Sequence, residues 1–232
     1  MERRSMNVRE ATAALRAVAD PSRLPGMAHV GIRTDRALGV SVPDIRRIAK
    51  RAGTDQALAD GLWRTRIHEA RYLATMVADP VAMDRARIER WAADVDSWDV
   101  GDSAADLFAA TALREETIRS FAAREEPFVK RIAFAMIARR AVSDRRASDA
   151  AFARYFSLIR RGAQDDRNEV KKAVSWALRQ IGKRNRTLNA AAIAQAERIL
   201  AEAIASGSAG ARWVGRDVLR ELRGDATQRR LR

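Results

Sequence analysis

With 232 residues and 47% hydrophobic content, the chain has length for one large domain or two small ones and enough apolar material to fill a core. Lys and Arg outnumber Asp and Glu by 44 to 30, a net charge of +14, and such an excess points to a polyanionic partner, nucleic acid or an anionic membrane surface. The lack of cysteine excludes a disulfide framework, thiolate catalysis and cysteine-ligated zinc, and with only two histidines, His29 and His68, no protein-ligated metal is expected.

The opening "MERRSMNVREATAALRAVAD" carries charge on an amphipathic helical pattern and lacks the apolar core of a secretory signal, so residues 1–25 read as an N-terminal helical segment. No apolar run approaches the roughly 18 residues of a membrane span, and the expectation is a soluble, cytoplasmic monomer with no membrane partner. Strand-like alternation is absent. Ala, Leu, Arg and Ile recur at helical spacing, broken at "ADPSRLPG", "GVSVPD", "VADP", "REEP", "RRGAQDDRN", "GKRN" and "SGSAG", which predicts an all-α chain.

Trp63 and Trp91 fall on apolar stripes and are expected in the core. The helix near residue 70 packs through Ala70, Leu73, Ala74 and Val77, which turns His68 and Tyr72 outward. "IHEARY" begins like a zinc-protease helix, but Tyr72 stands where the second histidine ligand belongs. His68 reads instead as a satisfied polar group in a groove or as a phosphate contact.

From Ala92 to Leu113 the chain holds Asp94, Asp96, Asp99, Asp102 and Asp106 and neither Lys nor Arg, an acidic island in a basic protein. At about 100° per residue, the helix opening at Ser97 packs through Val100, Ala104, Leu107, Phe108 and Thr111. Trp98 and Asp102, four residues apart, then share the opposite face, with Cβ atoms roughly 5–6 Å apart. Asp96 or Ser97 is the expected N-cap, whereas Asp102 is a turn further in and is not needed as a cap.

The second half is periodic. "FVKRIAFAMIARR", "EVKKAVSWALRQI" and "GARWVGRDVLREL" place Val129, Val170 and Ala211 in register, 41 residues apart each time, a spacing that suits HEAT-like pairs of antiparallel helices stacked as a solenoid with a concave face. Two less regular units precede them, at "IHEARYLATMVADP" and "DSWDVGDSAADLFAATAL". Within this register Arg131 points outward, Trp176 lies opposite its helix's apolar stripe beside Lys172, Arg179 and Lys183, and the last block turns Trp213, Arg216 and Arg220 outward. Arg212 joins Arg216 as a candidate contact. Lined up on one face, these residues make a basic groove with interleaved aromatics, suited to tracking phosphates. A single charged residue on such a face is ordinarily just solvated; the repetition favours the groove. The expected organisation is one repeat domain over 1–232, ending in a basic tail at 223–232. "QIGKRN" carries a Gly-Lys pair, but Arg184 replaces the Ser or Thr of a phosphate loop and Ala177 the upstream glycine, so no nucleotide site is expected.

Together, "GVSVPDIRRIAK", "LWRTRIHEARYLA", "DSWDVGD", "FVKRIAFAMIA" and "VKKAVSWALRQIGKRN" resemble the AlkD-type DNA alkylation repair glycosylases, from about Gly26 to Leu222 and in the family's order. The resemblance implies a HEAT-like repeat binding duplex DNA in its concave face and excising positively charged alkylpurines such as 7-methylguanine and 3-methyladenine. It implies catalytic roles for Trp98, Asp102 and Trp176, backbone contacts from Arg131, and neither metal nor organic cofactor. Lys172, Arg179, Lys183, Arg212, Arg216 and His68 complete the candidate DNA contacts. Relatives often carry an aromatic in the segment equivalent to "GMAHVGI", where this chain has Ala28 and His29; some have lost the aspartate and bind DNA without excision, whereas Asp102 is kept here. The rival reading is a non-catalytic HEAT-like module for DNA, RNA or an acidic protein.

Overall fold

A computed structural model describes residues 6–231; the first five residues of the expected N-terminal segment and the last residue of the basic tail lie outside them. The described residues contain no strand. The chain divides into two compact units, Met1–Leu113 and Arg114–Arg232.

The first unit holds seven α-helices among its described residues: α1 (Val8–Ala17), α2 (Leu24–His29), α3 (Val42–Ala52), α4 (Gln56–Arg64), α5 (His68–Val77), α6 (Arg85–Asp94) and α7 (Trp98–Ala109). Their starts are written locally. Asn7 and Glu10 close a capping box on α1, and the Ser41, Asp55 and Asp84 side chains accept the third-residue N–H of α3, α4 and α6. Ser97 takes the N-cap position of α7, but its hydroxyl turns to the Asp99 carboxylate instead of a backbone N–H.

The core of this unit is built on Leu62, Trp63, Leu73, Val77, Ile88, Trp91 and Phe108. Trp63 and Trp91 stack with centroids 4.2 Å apart and planes within 4°. The Arg71 guanidinium covers Trp63 at 5.3 Å, while Trp63 Nε1 donates to Asp94 Oδ2 at 3.0 Å.

The stretch between α2 and α3 is tied to α5 by one buried carboxylate: Glu69 accepts the backbone N–H groups of Leu38, Gly39 and Val40 at 2.8–3.2 Å. Gly39 has φ +78°, and a Cβ there would lie 2.0 Å from the Asp20 carbonyl oxygen, so the crossing requires glycine.

The second unit contains α8 (Arg114–Ala122), α9 (Pro127–Ser143), α10 (Asp149–Ala153), α11 (Phe156–Gly162), α12 (Asn168–Gly182), α13 (Arg186–Ser206), α14 (Ala209–Leu222) and α15 (Asp225–Gln228). Here the 41-residue period becomes packing: α9 lies against α12, α12 against α14, and Val129, Val170 and Ala211 are all buried. The run Ile132–Ala138 of α9 is buried on every side, as an all-round apolar helix interior must be. Gly182 lets the end of α12 approach its neighbours; a Cβ there would meet Leu222 Cδ1 at 2.5 Å. The expected basic tail is not a free extension over its described length, since α15 forms within it and Leu231 is buried. Among the described residues, no helix is long and apolar enough to cross a membrane.

Candidate functional site

The acidic island separates, in the structure, into carboxylates with different tasks. Asp94 serves the Trp63 indole and the Arg71 guanidinium, the latter at 3.7 Å, and Asp96 lies 3.7 Å from Arg33. Asp99, at the start of α7, accepts from His68 at 2.9 Å on one oxygen and from Ser97 Oγ and the Val100 N–H on the other. Asp102 lies one turn further along α7, half-buried, on the face it shares with half-buried Trp98. Trp98 is itself held: its Nε1 donates to the Val30 carbonyl at 3.0 Å.

The His68–Asp99 contact makes His68 a satisfied polar group, the first of its two expected readings, although the ring is covered and not turned outward. Its side chain is only 7% exposed, and Nε2 is engaged by Asp99. Burial pushes the His68 pKa down, but the hydrogen bond and charge of Asp99, with Glu69 and Asp96 behind it, outweigh that and raise it above the ordinary value. Burial likewise pushes Asp99 up, and its bonds to His68, Ser97 and Val100 hold it below the ordinary carboxylate value. The two shifts agree in direction, each favouring the charged form of its group in the contact that bridges α5 and α7. A second bridge, Thr75 Oγ1 to Ser103 Oγ at 2.5 Å, joins the same helices further along. Beside the pair lies a cavity of about 440 Å³, lined by Met27, Val30, Val42, Ile45 and Tyr72 among others.

In the second unit Trp176 is half-buried on α12 with the Arg139 guanidinium 5.4 Å from its ring centre. Its indole N–H reaches Gln180 Oε1 at 3.0 Å in the amide orientation that satisfies both groups. The outward placement of Arg131 is corrected: the side chain is 7% exposed and Nη1 donates to the Glu169 carbonyl at 3.0 Å, because α12 packs over the face that a wheel drawn on α9 alone leaves open. Arg179 and Lys183 are half-buried and converge on Glu221, Lys183 at 2.6 Å, with Asp217 also 3.5 Å from Arg179. Burial raises Glu221, yet these two cations bring it below its ordinary value. Lys172, Arg212 and Arg216 are exposed, Arg212 also donating to the Gly207 carbonyl at 3.1 Å.

Sequence reasoning missed the His68–Asp99 pair and the Glu221 clamp. A helical wheel tells which face meets a helix's own core stripe; it does not tell which further helix covers the opposite face. Among the described residues, no group of three or more His, Asp and Glu side chains is arranged to hold a metal ion.

Residues 11–217 match the family model described as DNA alkylation repair enzyme. No curated protein matches the chain. A solved structure described as "a new family of proteins related to the HEAT-like repeat DNA glycosylases with affinity for branched DNA structures" is similar at a TM-score of 0.74, over 83% of each chain and at 18% identity. That likeness is one of fold, and it makes the helical pairs seen here HEAT-like repeats.

Proposed function

Given that this chain belongs to the DNA alkylation repair enzyme family, we propose that it is a monofunctional glycosylase that excises positively charged alkylpurines from duplex DNA. The observation that supports this best is the pairing of Trp98 with Asp102 on one face of α7.

The chemistry asks for a single carboxylate. An alkylated purine is already cationic, so when the glycosidic bond breaks its electron pair leaves with the base, which departs neutral and needs no acid. The deficit falls on the sugar, which gains oxocarbenium character. In this reading Asp102 stabilises that charge and orients the water that bonds to C1′, taking up its proton before release to solvent. Trp98 offers its indole face to the cationic nucleotide. Exposed Lys172, Arg212 and Arg216 contact phosphates, while Arg179 and Lys183 contribute through the field they share with Glu221. Arg131 and His68 act indirectly, by fixing α9 against α12 and α5 against α7.

The test is release of free 7-methylguanine from a methylated duplex, with a no-enzyme control to subtract spontaneous loss. Release by the wild type that collapses in Asp102→Asn, with duplex affinity kept, is the expected result; undiminished release by the variant removes Asp102 from the mechanism. The branched-DNA affinity described for the structural neighbour favours a second reading, a DNA-binding repeat protein without excision. No release above control with binding intact would select it.

A further inference from the structure

Trp213 on α14 is 38% exposed. It stands at the bottom of a shallow depression of about 400 Å³ whose lining is otherwise Ala209, Arg212, Arg216, Asp217 and Arg220. Lys171, from the adjacent α12, places its ammonium 5.8 Å from the indole centre. Positions 212, 213, 216 and 220 fall within about 100° of one another around the helix axis, so three arginines share one face of α14 with one indole. Asp217, buried, offsets only part of the patch: it accepts from Ser175 Oγ at 2.6 Å, lies 3.5 Å from Arg179 and ion-pairs with Arg220, and it leaves Arg212 and Arg216 exposed.

We propose that this face of α14 binds single-stranded DNA, stacking an unpaired base on Trp213 while Arg212, Arg216 and Arg220 take the flanking phosphates. The composition selects the ligand. Lys171 at the ring and the arginines that share its face of α14 call for a polyanion, and an exposed indole among them calls for a polyanion that also presents flat, apolar rings. A blunt duplex has the phosphates but keeps its bases stacked and paired, so it gains from the arginines and nothing from the tryptophan. An acidic peptide lacks the repeated planar groups, and an anionic membrane would need more apolar surface than one ring. The inference rests on DNA binding by this family and is independent of base release by Asp102.

Fluorescence anisotropy with the full chain compares a blunt duplex with the same duplex carrying a single-stranded overhang of about eight nucleotides, a length within the range one such site covers. The overhang is expected to tighten binding about tenfold, within what one base–aromatic stack contributes. Trp213→Ala should abolish that increment, Trp213→Phe should keep most of it, and blunt-duplex affinity should change little in both. Equal wild-type affinity for the two DNAs, or equal losses on both in Trp213→Ala, would overturn the proposal. So would a wild-type dimer in sedimentation that Trp213→Ala dissolves, which would give this face to a second copy of the chain. Asp102→Asn, measured in parallel, separates the two ideas: base release can fail while the overhang increment stands.

Discussion

The two units use charge differently. In Met1–Leu113 the polar contacts described above close on buried groups: His68 on Asp99, Glu69 on three loop N–H groups, and the Trp63 indole on the exposed Asp94. In Arg114–Arg232 the cations outnumber their acids locally, and Arg179 and Lys183 share Glu221 while Lys172, Arg212 and Arg216 face solvent. The first pattern fixes the position of a few side chains; the second unit has such contacts too, Arg131 on the Glu169 carbonyl and Asp217 on Ser175, and adds to them a surplus of cations. Under the proposed function, reaction at one nucleotide draws on the fixed side chains and holding many phosphates draws on the surplus.

The sharpest way to break this comparison is through α7. Under the proposed function, Asp102→Asn should lower base release by about 100-fold or more, the scale of losing a preorganised electrostatic partner of the transition state, while duplex affinity shifts less than threefold. A comparable loss from Lys172→Ala would mean that the two patterns are not separate in function. Single-turnover base release beside anisotropy distinguishes the two.

Next in size is the pair that anchors α7. Asp99→Asn removes one partner of a buried ion pair and leaves the His68 ring against an amide, which should cost about 3 kcal/mol in chemical denaturation. The same substitution applied to an exposed second-unit pair such as Arg223 with Glu197 should cost under about 1 kcal/mol. Equal costs would show that burial does not set the strength of these pairs. Because α7 carries Trp98 and Asp102, Asp99→Asn is also expected to reduce base release without removing any group that meets the nucleotide.

The same pair gives the pH dependence its sign. His68 is raised above its ordinary 6.5, so its stabilisation is complete below that value and is lost as pH rises through the higher folded value. Asp99 is lowered below its ordinary 3.8, so its share is present above that value and is lost as pH falls through the lower folded value. Stability from this contact is therefore greatest between about pH 4 and 6.5 and declines on the alkaline side. Thermal unfolding midpoints should fall as pH rises beyond about 6.5, and that slope should vanish in Asp99→Asn. A slope unchanged in the variant would assign it to other groups.

How legible all this was differs between the units as well. In the second, a strict period carries information: three blocks in register name Val129, Val170 and Ala211 as buried, because each repeat faces the same kind of neighbour. The family likeness rests on motifs spanning both. What did not show is what the period cannot encode. His68 and Arg131 read as outward because each lies opposite its own helix's apolar stripe, yet each is covered by a different segment and satisfied there by a partner 31 residues or more away, Asp99 and the Glu169 carbonyl. Glu69 falls in the same class, since its three N–H partners come from a loop without regular structure. Polar pairing at long separation has no local signature, whereas Trp98 and Asp102, one helical turn apart, were visible as a pair.

The smallest expected effect tests the second unit from within. Lys172 is exposed, while the Lys183 ammonium lies 2.6 Å from Glu221 and the same carboxylate serves Arg179. A cation free to approach a phosphate releases a counterion on binding, so Lys172→Ala should reduce the slope of log affinity against log salt by about one and weaken blunt-duplex binding a few-fold at any sequence. Lys183→Ala leaves Arg179 on Glu221 and removes a charge already half spent inside the protein, so its slope should change by much less. Glu221→Gln should then move the other way, releasing both cations to the DNA and steepening the salt dependence. Matching slopes for the two lysine variants would mean that Lys183 leaves Glu221 when DNA arrives, and that the clamp is a resting state instead of a fixed part of the fold.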